Sequence, residues 1–213
     1  MLLRRLAAHA IYLAVWLALL APMALLAWGA VTNDLGANPV ERLIRQLGVW
    51  GLRFLILGLA ITPAARIFRQ PRLIRYRRTV GLFAFSYILL HLVSYAVIDH
   101  RLDWSTIGKD IVKRPYITIG MAAFALLIPL AVTSTNWMIR KLGPLRWRRL
   151  HSLIYVIVPA GVVHYFLLVK ADRTSPLIYG GLVLALLGWR LWDRGRNRPT
   201  KRRNPVEKTV VQG

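Results

Sequence analysis

The stretch LHSLIYVIVPAGVVHYFLLVK, residues 150–170, decides how the rest of the chain is interpreted. It is apolar and long enough to cross a bilayer, and it carries His151 and His164 thirteen positions apart. At about 1.5 Å per residue the two imidazoles lie roughly 20 Å apart along a helix axis. Histidine inside a membrane is costly and usually functional. Ligation of haem iron is a common function, and hydrogen bonding to neighbouring helices is the alternative.

The angular positions of these two histidines fit a shared role less well than their depths do. Thirteen residues leave the two side chains about 140° apart on an ideal helix. Pro159 lies between them, and a proline kink would bring them nearer to one face. This helix alone therefore leaves both haem ligation and simple hydrogen bonding open.

Composition indicates a membrane protein. Hydrophobic residues make up 56% of the 213 residues, and the mean hydropathy is +0.47. Cysteine is absent, which excludes disulfides, iron–sulfur clusters and thiolate ligation of haem. A net charge of +22 is high enough for a nucleic-acid partner. The cations, however, cluster between apolar runs, so we expect the lipid bilayer and no nucleic acid as partner.

The apolar runs predict an all-α membrane protein, a six-helix transmembrane bundle formed by residues 1–193. The first run follows a short basic segment without a cleavage site, so we expect it to be retained as a helix. Residues 194–213 are basic without apolar periodicity, which predicts a disordered cytoplasmic tail. The six predicted spans cover residues 6–30, 47–63, 80–98, 116–135, 150–169 and 177–192.

Charge asymmetry predicts the orientation of the bundle. The N-terminus, residues 64–79, residues 136–149 and the stretch from Arg190 onward carry 21 of the 30 cations and only two acids. The other three connections carry eight cations and six acids. The positive-inside rule therefore predicts that both termini are cytoplasmic.

This orientation assigns a depth to each histidine. The third and fifth helices run outward, and His91 and His164 both fall in the outer half of the membrane, where they could face each other across one haem. His151 lies at the cytoplasmic start of the fifth helix. The positions opposite it on the third helix are Arg77 and Arg78, so His151 could ligate a second haem from one side, bind it with an atypical partner, or only donate or accept a hydrogen bond.

At this point the sequence resembles the ferric-reductase-like transmembrane superfamily and, within it, the MsrQ family of haem-binding membrane subunits. The resemblance spans most of residues 34–181, and only the first helix and the basic tail lack a distinctive match. The motifs that carry it are DLGANPV, AITPAARIFRQPRLIRYRRTVGL, LHLVSYAVID, RPYITIG, AVTST, KLGPLRWRRLHSLIYV, HYFLLVK and PLIYGG.

The resemblance implies an electron-transfer subunit in the bacterial inner membrane, with one or two b-type haems and with FMN as a further cofactor. His91, His151 and His164 fall on the three haem-associated positions of the family. Electrons are expected from the quinone pool or from a cytosolic flavin reductase. They pass to a periplasmic molybdopterin enzyme, MsrP, which forms a heterodimer with such subunits and reduces methionine sulfoxide in oxidised proteins. Catalysis on that substrate is expected in the partner.

Arginines supply the remaining candidate binding residues. Arg53 lies inside the second span and needs a partner such as a haem propionate, unless its side chain reaches the interface. Arg77 and Arg78 belong to a basic cluster that could hold propionates, an FMN phosphate or an acidic donor, although topogenic charge alone explains most of it. The mixed-charge loop at residues 99–114 is the expected docking surface for the periplasmic partner. The cluster comprises Arg75, Arg77, Arg78, Arg146, Arg148 and Arg149.

Two alternative functions remain open from the sequence. A stand-alone haem b quinol or ferric reductase would have the same helix histidines and differ only in its partner. A small transporter would also need polar groups inside the membrane, but such proteins often show inverted repeats, and no repeat is apparent here. The residues after the sixth span contain no G-x-G-x-x-G turn, so we expect no nicotinamide domain there.

Overall fold

The computed structural model describes residues 2–196, and this part of the chain is helical with short connections. The predicted tail lies mostly outside the described residues, and its first three residues, 194–196, continue the last helix. A 3₁₀ turn (Pro71–Arg75) precedes α3 and a π-helical turn (Ser94–Asp99) follows it. The α-helices are α1 (Leu2–Val31), α2 (Pro39–Ile67), α3 (Tyr76–Val93), α4 (Trp104–Lys113), α5 (Pro115–Val132), α6 (Asn136–His151), α7 (Ile154–Leu168) and α8 (Thr174–Arg196).

Within residues 2–196, six helical segments are long and apolar enough to span a membrane, which confirms the predicted six-helix transmembrane architecture. The third segment combines the 3₁₀ turn, α3 and the π-helical turn, and the fifth combines α6 and α7. The chain is therefore a multi-span membrane protein. The six segments are His9–Val31, Pro39–Ile67, Pro71–Asp99, Pro115–Val132, Asn136–Leu168 and Thr174–Arg196.

Three connections contain more helix than the sequence predicted. The second helix begins at Pro39 instead of residue 47, because Asn38 caps it by accepting from the Glu41 amide and proline suits the first helical turn. The predicted loop at residues 99–114 contains α4, whose amides Asp103 caps. The predicted basic connection at residues 136–149 forms α6, which bends where Gly143 adopts a φ of 74°.

Helix α2 lies at the centre of the bundle. In an apolar stretch of 18 residues within α2, half of the residues are buried. In the corresponding stretches of the other five segments, at most 17% are buried. It contacts α1, α3, α7 and α8. The packing against α3 is close at Gly51, where an added Cβ would lie 2.5 Å from Ile88 Cγ1. A central helix that touches four others positions whatever side chains α3 and α7 direct toward it.

Tyr87 ties α3 to α1. Its side chain is buried against Phe54 with ring centroids 5.1 Å apart. Its hydroxyl donates to the Leu19 carbonyl at 2.9 Å and accepts from the Met23 amide at 3.0 Å. These two groups are separated by one helical turn beside Pro22, so the tyrosine satisfies backbone groups at a point where proline weakens the α1 ladder.

Candidate functional site

The bundle has two ends, which we name from their residues. The α4 end carries the connections 32–38, 94–114 and 169–173, and the arginine end carries the connections 68–75 and 133–135 together with α6. At the arginine end, Arg66 pairs with Asp193, and Arg78 donates to Asn136 Oδ1 at 2.6 Å. These contacts place α2, α3, α6 and α8 side by side at that end.

His91 and His164 come together in the half of the bundle nearer to the α4 end. His91 lies on α3 and His164 on α7, and their ring centroids are 6.3 Å apart with the ring planes at 81°. Both residues are partly buried. Of the three helix histidines that the sequence singled out, the structure thus brings two close together, with their rings nearly perpendicular.

Each of these two imidazoles is held by a main-chain carbonyl. His91 Nδ1 lies 2.8 Å from the Ile44 oxygen on α2, and His164 Nδ1 lies 2.6 Å from the Tyr116 oxygen on α5. A carbonyl oxygen can only accept, so Nδ1 must carry the proton in both rings. In the neutral ring the lone pair is then on Nε2, which is the nitrogen available to a metal ion.

A glycine stands beside each ring. A Cβ at Gly48 would lie 3.0 Å from His91 Nδ1, and a Cβ at Gly120 would lie 2.7 Å from His164 Nδ1. Sequence reasoning missed both glycines and both carbonyls. The spacing becomes visible in the sequence only once the acceptors are known: each glycine comes four positions after the accepting residue, which precedes its histidine by 47 positions in one case and 48 in the other.

His151 lies apart from this pair, at the arginine end. Its Nε2 is 3.0 Å from Thr133 Oγ1, and its ring stacks on Trp147 with centroids 4.0 Å apart. The indole of Trp147 in turn donates to the Thr133 carbonyl at 3.0 Å. Of the roles that the sequence left open for His151, hydrogen bonding is the one that the described contacts provide.

Arg77 and Arg78 lie near the same end. Arg77 is close enough to His151 to act on it electrostatically. Arg78 lines an open cavity of ≈ 410 Å³ between α1 and α3, together with Arg75 and the aromatic side chains of Tyr12 and Trp16. The arginine end therefore offers positive charge both beside His151 and in a cavity with aromatic walls.

Arg53 faces a different part of the bundle. Its Nε donates to the Tyr179 hydroxyl on α8 at 2.7 Å, and its guanidinium lies 4.5 Å from the centroid of the Trp50 ring. It is five positions from Gly48, about 140° around α2, so it points away from the face that holds His91. The guanidinium thus has protein partners inside the membrane, and the structure does not bring it to the histidine pair.

A polar network that sequence reasoning also missed closes the α4 end. The Asp110 carboxylate of α4 is buried and accepts from Tyr95 at 3.3 Å, and it lies 3.2 Å from Arg114 Nε and 3.6 Å from His100 Nε2. Tyr95 follows His91 by one turn on the same chain segment. The network fixes α4 across the ends of α3 and α5, the helix that supplies the Tyr116 carbonyl.

The geometry of the pair suits one metal ion between two imidazoles. An ion bound by both Nε2 atoms, with two metal–imidazole bonds of about 2 Å each, would set the ring centroids about 6 Å apart, and the observed separation is 6.3 Å. Haem iron takes two axial ligands from protein, because the porphyrin supplies the other four nitrogens. The residues present therefore fit a haem, which His91 and His164 would hold through their Nε2 atoms.

Known proteins are similar in sequence to this chain over most of its length. Residues 47–162 match the family described as ferric reductase like transmembrane component. The chain is 59% identical over 191 residues to a protein of Caulobacter vibrioides named protein-methionine-sulfoxide reductase heme-binding subunit MsrQ, covering 90% of each chain. Proteins of the same name in Rhodospirillum rubrum and Xanthomonas oryzae pv. oryzae are 50% and 46% identical, with 87–91% of each chain covered. No solved structure matches the chain.

The family match begins at residue 47 within α2 and ends at residue 162 within α7, so it includes His91, His151 and Tyr116 but neither Ile44 nor His164. The relatives extend the match across His164 and α8. The fold, the paired histidines and the comparisons agree: the chain belongs to the ferric-reductase-like transmembrane family and, within it, to the MsrQ family.

Proposed function

We propose that the chain is a haem-binding membrane subunit that carries electrons to a protein-methionine-sulfoxide reductase. The observation that carries the proposal is the His91–His164 pair, with ring centroids 6.3 Å apart and both Nδ1 atoms engaged by carbonyl oxygens. When bound, b-type haem supplies reversible one-electron chemistry at its iron. The names of the relatives support both the cofactor and the reductase system.

The chain's own residues orient and insulate this site. The Ile44 and Tyr116 carbonyls hold the two imidazoles in the tautomer that offers Nε2. Both imidazoles are partly buried, which limits the access of water. Burial of this kind and the basicity of the axial ligands are the means by which a protein sets the potential of a haem.

We further propose the bacterial inner membrane as location, with both termini cytoplasmic and the α4 end periplasmic. The charge asymmetry between the two ends supports this orientation. An MsrP-like periplasmic molybdopterin reductase would then meet the α4 end. The donor would be the quinone pool or a cytosolic flavin reductase.

FMN is the second proposed cofactor, and the cavity between α1 and α3 is its candidate site. Arg75 and Arg78 supply charge for a phosphate, and Tyr12 and Trp16 supply aromatic surface for a flavin ring. Release of flavin fluorescence from denatured protein, compared between native protein and Arg78→Ala, tests this site. Equal flavin content in the two proteins would contradict it.

A second haem at His151 is the remaining proposal for the cofactors. It requires His151 Nε2 to exchange its Thr133 hydroxyl for iron. Arg77, close by, would then serve a propionate. A ratio near two haems per polypeptide supports this proposal, and a ratio near one contradicts it.

Haem b per polypeptide, measured as the pyridine haemochrome of detergent-purified protein, tests the main proposal. We expect at least one haem in the native protein and the loss of about one in His91→Ala, because removing an axial ligand from a two-ligand site abolishes its geometry. His9→Ala is the matched control, since His9 lies on α1, away from the pair. Well-folded native protein without haem would overturn the electron-transfer function.

The stand-alone reductase is distinguished by its partner. Reduced protein, mixed with an MsrP-like enzyme and methionine sulfoxide, should be reoxidised faster than the protein alone. Reoxidation at the same rate with and without that enzyme would favour the stand-alone reductase.

A further inference from the structure

His91 and His164 have the same local environment, which consists of a carbonyl acceptor and a glycine four positions after it on a neighbouring helix. On α2 the Ile44 carbonyl binds His91, and Gly48 follows the accepting residue by four positions; on α5 the Tyr116 carbonyl and Gly120 repeat this arrangement for His164. The order along the chain is also the same in both halves. The site therefore consists of two structurally equivalent halves, each with an acceptor carbonyl, a glycine and a histidine. The sequence alone did not reveal this repeat.

The spacing of four positions has a physical reason. A helical side chain covers the turn on the N-terminal side of its own Cα, so a residue four positions on lies over the carbonyl of the first residue. Glycine at that position leaves the carbonyl uncovered. An imidazole from a neighbouring helix can then reach the oxygen, although that oxygen already belongs to the helix ladder and uses its second lone pair.

The distances show that alanine is not tolerated without displacement. A Cβ at Gly48 would lie 3.0 Å from His91 Nδ1 and 3.2 Å from Cε1, and one at Gly120 would lie 2.7 Å from His164 Nδ1 and 3.0 Å from Cε1. Glycine inside a helix lowers stability relative to alanine. These two positions thus accept a cost in helix stability where the imidazoles approach.

We propose that Gly48 and Gly120 are positioning residues that set the orientation and the Nδ1 hydrogen bond of the two axial histidines. The proposal rests on the proposed haem function for its spectroscopic consequences and on the observed contacts for its structural ones. Neither glycine touches the iron, and both act through the imidazole. Loss of the Nδ1 hydrogen bond makes Nε2 a weaker donor, which stabilises ferric iron less.

The first experiment measures haem content, the low-spin electron paramagnetic resonance spectrum and the midpoint potential of Gly48→Ala and Gly120→Ala. We expect haem affinity to fall about 10- to 100-fold, as for other partners of metal ligands, with the larger loss in Gly120→Ala. Haem that remains bound should show a shifted low-spin signal and a higher midpoint potential. Gly58→Ala and Gly81→Ala are the matched controls, because a Cβ there has no neighbour closer than 4.0 Å.

The second experiment separates a clash with the imidazole from any other damage. Melting temperatures of the haem-free proteins are compared for Gly48→Ala in the native and in the His91→Ala background, and for Gly120→Ala in the native and in the His164→Ala background. We expect each alanine to lower the melting temperature only where the imidazole is present, a coupling that a double-mutant cycle measures.

The outcomes distinguish this inference from the proposed function. Equal destabilisation in both backgrounds, or haem spectra and potentials like those of the controls, would overturn the positioning role while the haem function stands. Native protein that binds no haem would overturn the proposed function, and the cycle of melting temperatures would still decide the structural role of the glycines.

Discussion

The histidine pair and His151 differ in what holds their rings. His91 and His164 each meet a main-chain carbonyl of a neighbouring helix, whereas His151 meets the hydroxyl of Thr133 and the ring of Trp147. A carbonyl accepts only, so it fixes the tautomer and leaves Nε2 as the lone-pair nitrogen. The Thr133 hydroxyl donates its one hydrogen to the Pro129 carbonyl at 2.6 Å, so it accepts from His151, and Nε2 carries the proton there.

One helix bundle thus places identical side chains in two different hydrogen-bonding environments. At the pair, the contacts use Nδ1 and keep the metal-binding nitrogen available. At His151, the observed contact uses Nε2 itself. A ligand role at the first place needs no rearrangement, and at the second it needs an existing hydrogen bond to be exchanged.

The largest expected effect is the loss of haem when His91, His164 or both are replaced. We expect His91→Ala, His164→Ala and the double variant to lose the same amount of haem, because in the proposed site the two residues would hold one iron and removal of either would destroy the site. Pyridine haemochrome assays on the three purified proteins check this. Haem loss in the double variant equal to the sum of two partial losses would show two independent sites. His151→Ala is the comparison, and its effect should add to that of either variant.

Thr133→Val tests the contact that holds His151, and we expect an effect of intermediate magnitude. The substitution keeps the shape of the side chain but removes the partner of His151 Nε2. We expect a loss of about 1–3 kcal/mol in the free energy of unfolding, the usual cost of leaving a partly buried polar group unpaired, and unchanged haem at the pair. Thermal unfolding in detergent measures it. Thr32→Val, which removes only an exposed hydroxyl bonded to the Trp28 carbonyl, should change stability by less than about 0.5 kcal/mol.

The smallest expected effect is a pH dependence of helix capping, which should differ between α4 and α6. Asp103 caps α4, and hydrogen bonds from Thr106, followed by that from Ser105, lower the pKa of its carboxyl. A lowered pKa means that the cap stabilises α4 above the ordinary carboxyl pKa and that this contribution is lost as pH falls through the folded-state pKa. Thr135 caps α6 with a hydroxyl that does not ionise.

Hydrogen exchange near pH 3 therefore should show faster exchange in the first turn of α4 relative to pH 6, after correction for intrinsic rates, and no such change in α6. Faster exchange in both helices would indicate a general loosening of the bundle in acid. Asp103→Asn, which keeps a capping oxygen without a titrating group, should remove the pH dependence in α4.

Much of this arrangement could be predicted from sequence, and the parts that could not have identifiable causes. Long apolar runs and clustered arginines indicate six spans without any knowledge of packing, and matched depths single out His91 and His164. The helices at residues 39–46, 104–113 and 136–149 escaped prediction because their polar residues resemble loops. Capping by Asn38, Asp103 and Thr135 makes them helical.

The acceptors of the histidines could not be predicted for a different reason. A main-chain carbonyl has no residue type, so nothing in the identity of Ile44 or Tyr116 marks it as a hydrogen-bond partner. The partner of Arg53 could not be predicted either. Its charge is visible in the sequence, but its partner Tyr179 is 126 positions away and depends on how α2 and α8 pack.

The spacing of the pair along the chain has a consequence for biosynthesis. His91 and His164 are 73 positions apart, so at about 5–20 residues per second the ribosome needs roughly 4 to 15 s to pass from one to the other. Translation of the hairpin of α2 and α3 ends at Val93, early in that interval, so His91 has been synthesised while His164 has not. In the proposed site, haem would therefore be held by both histidines only after the fifth span has entered the bilayer, which would make haem insertion a late event.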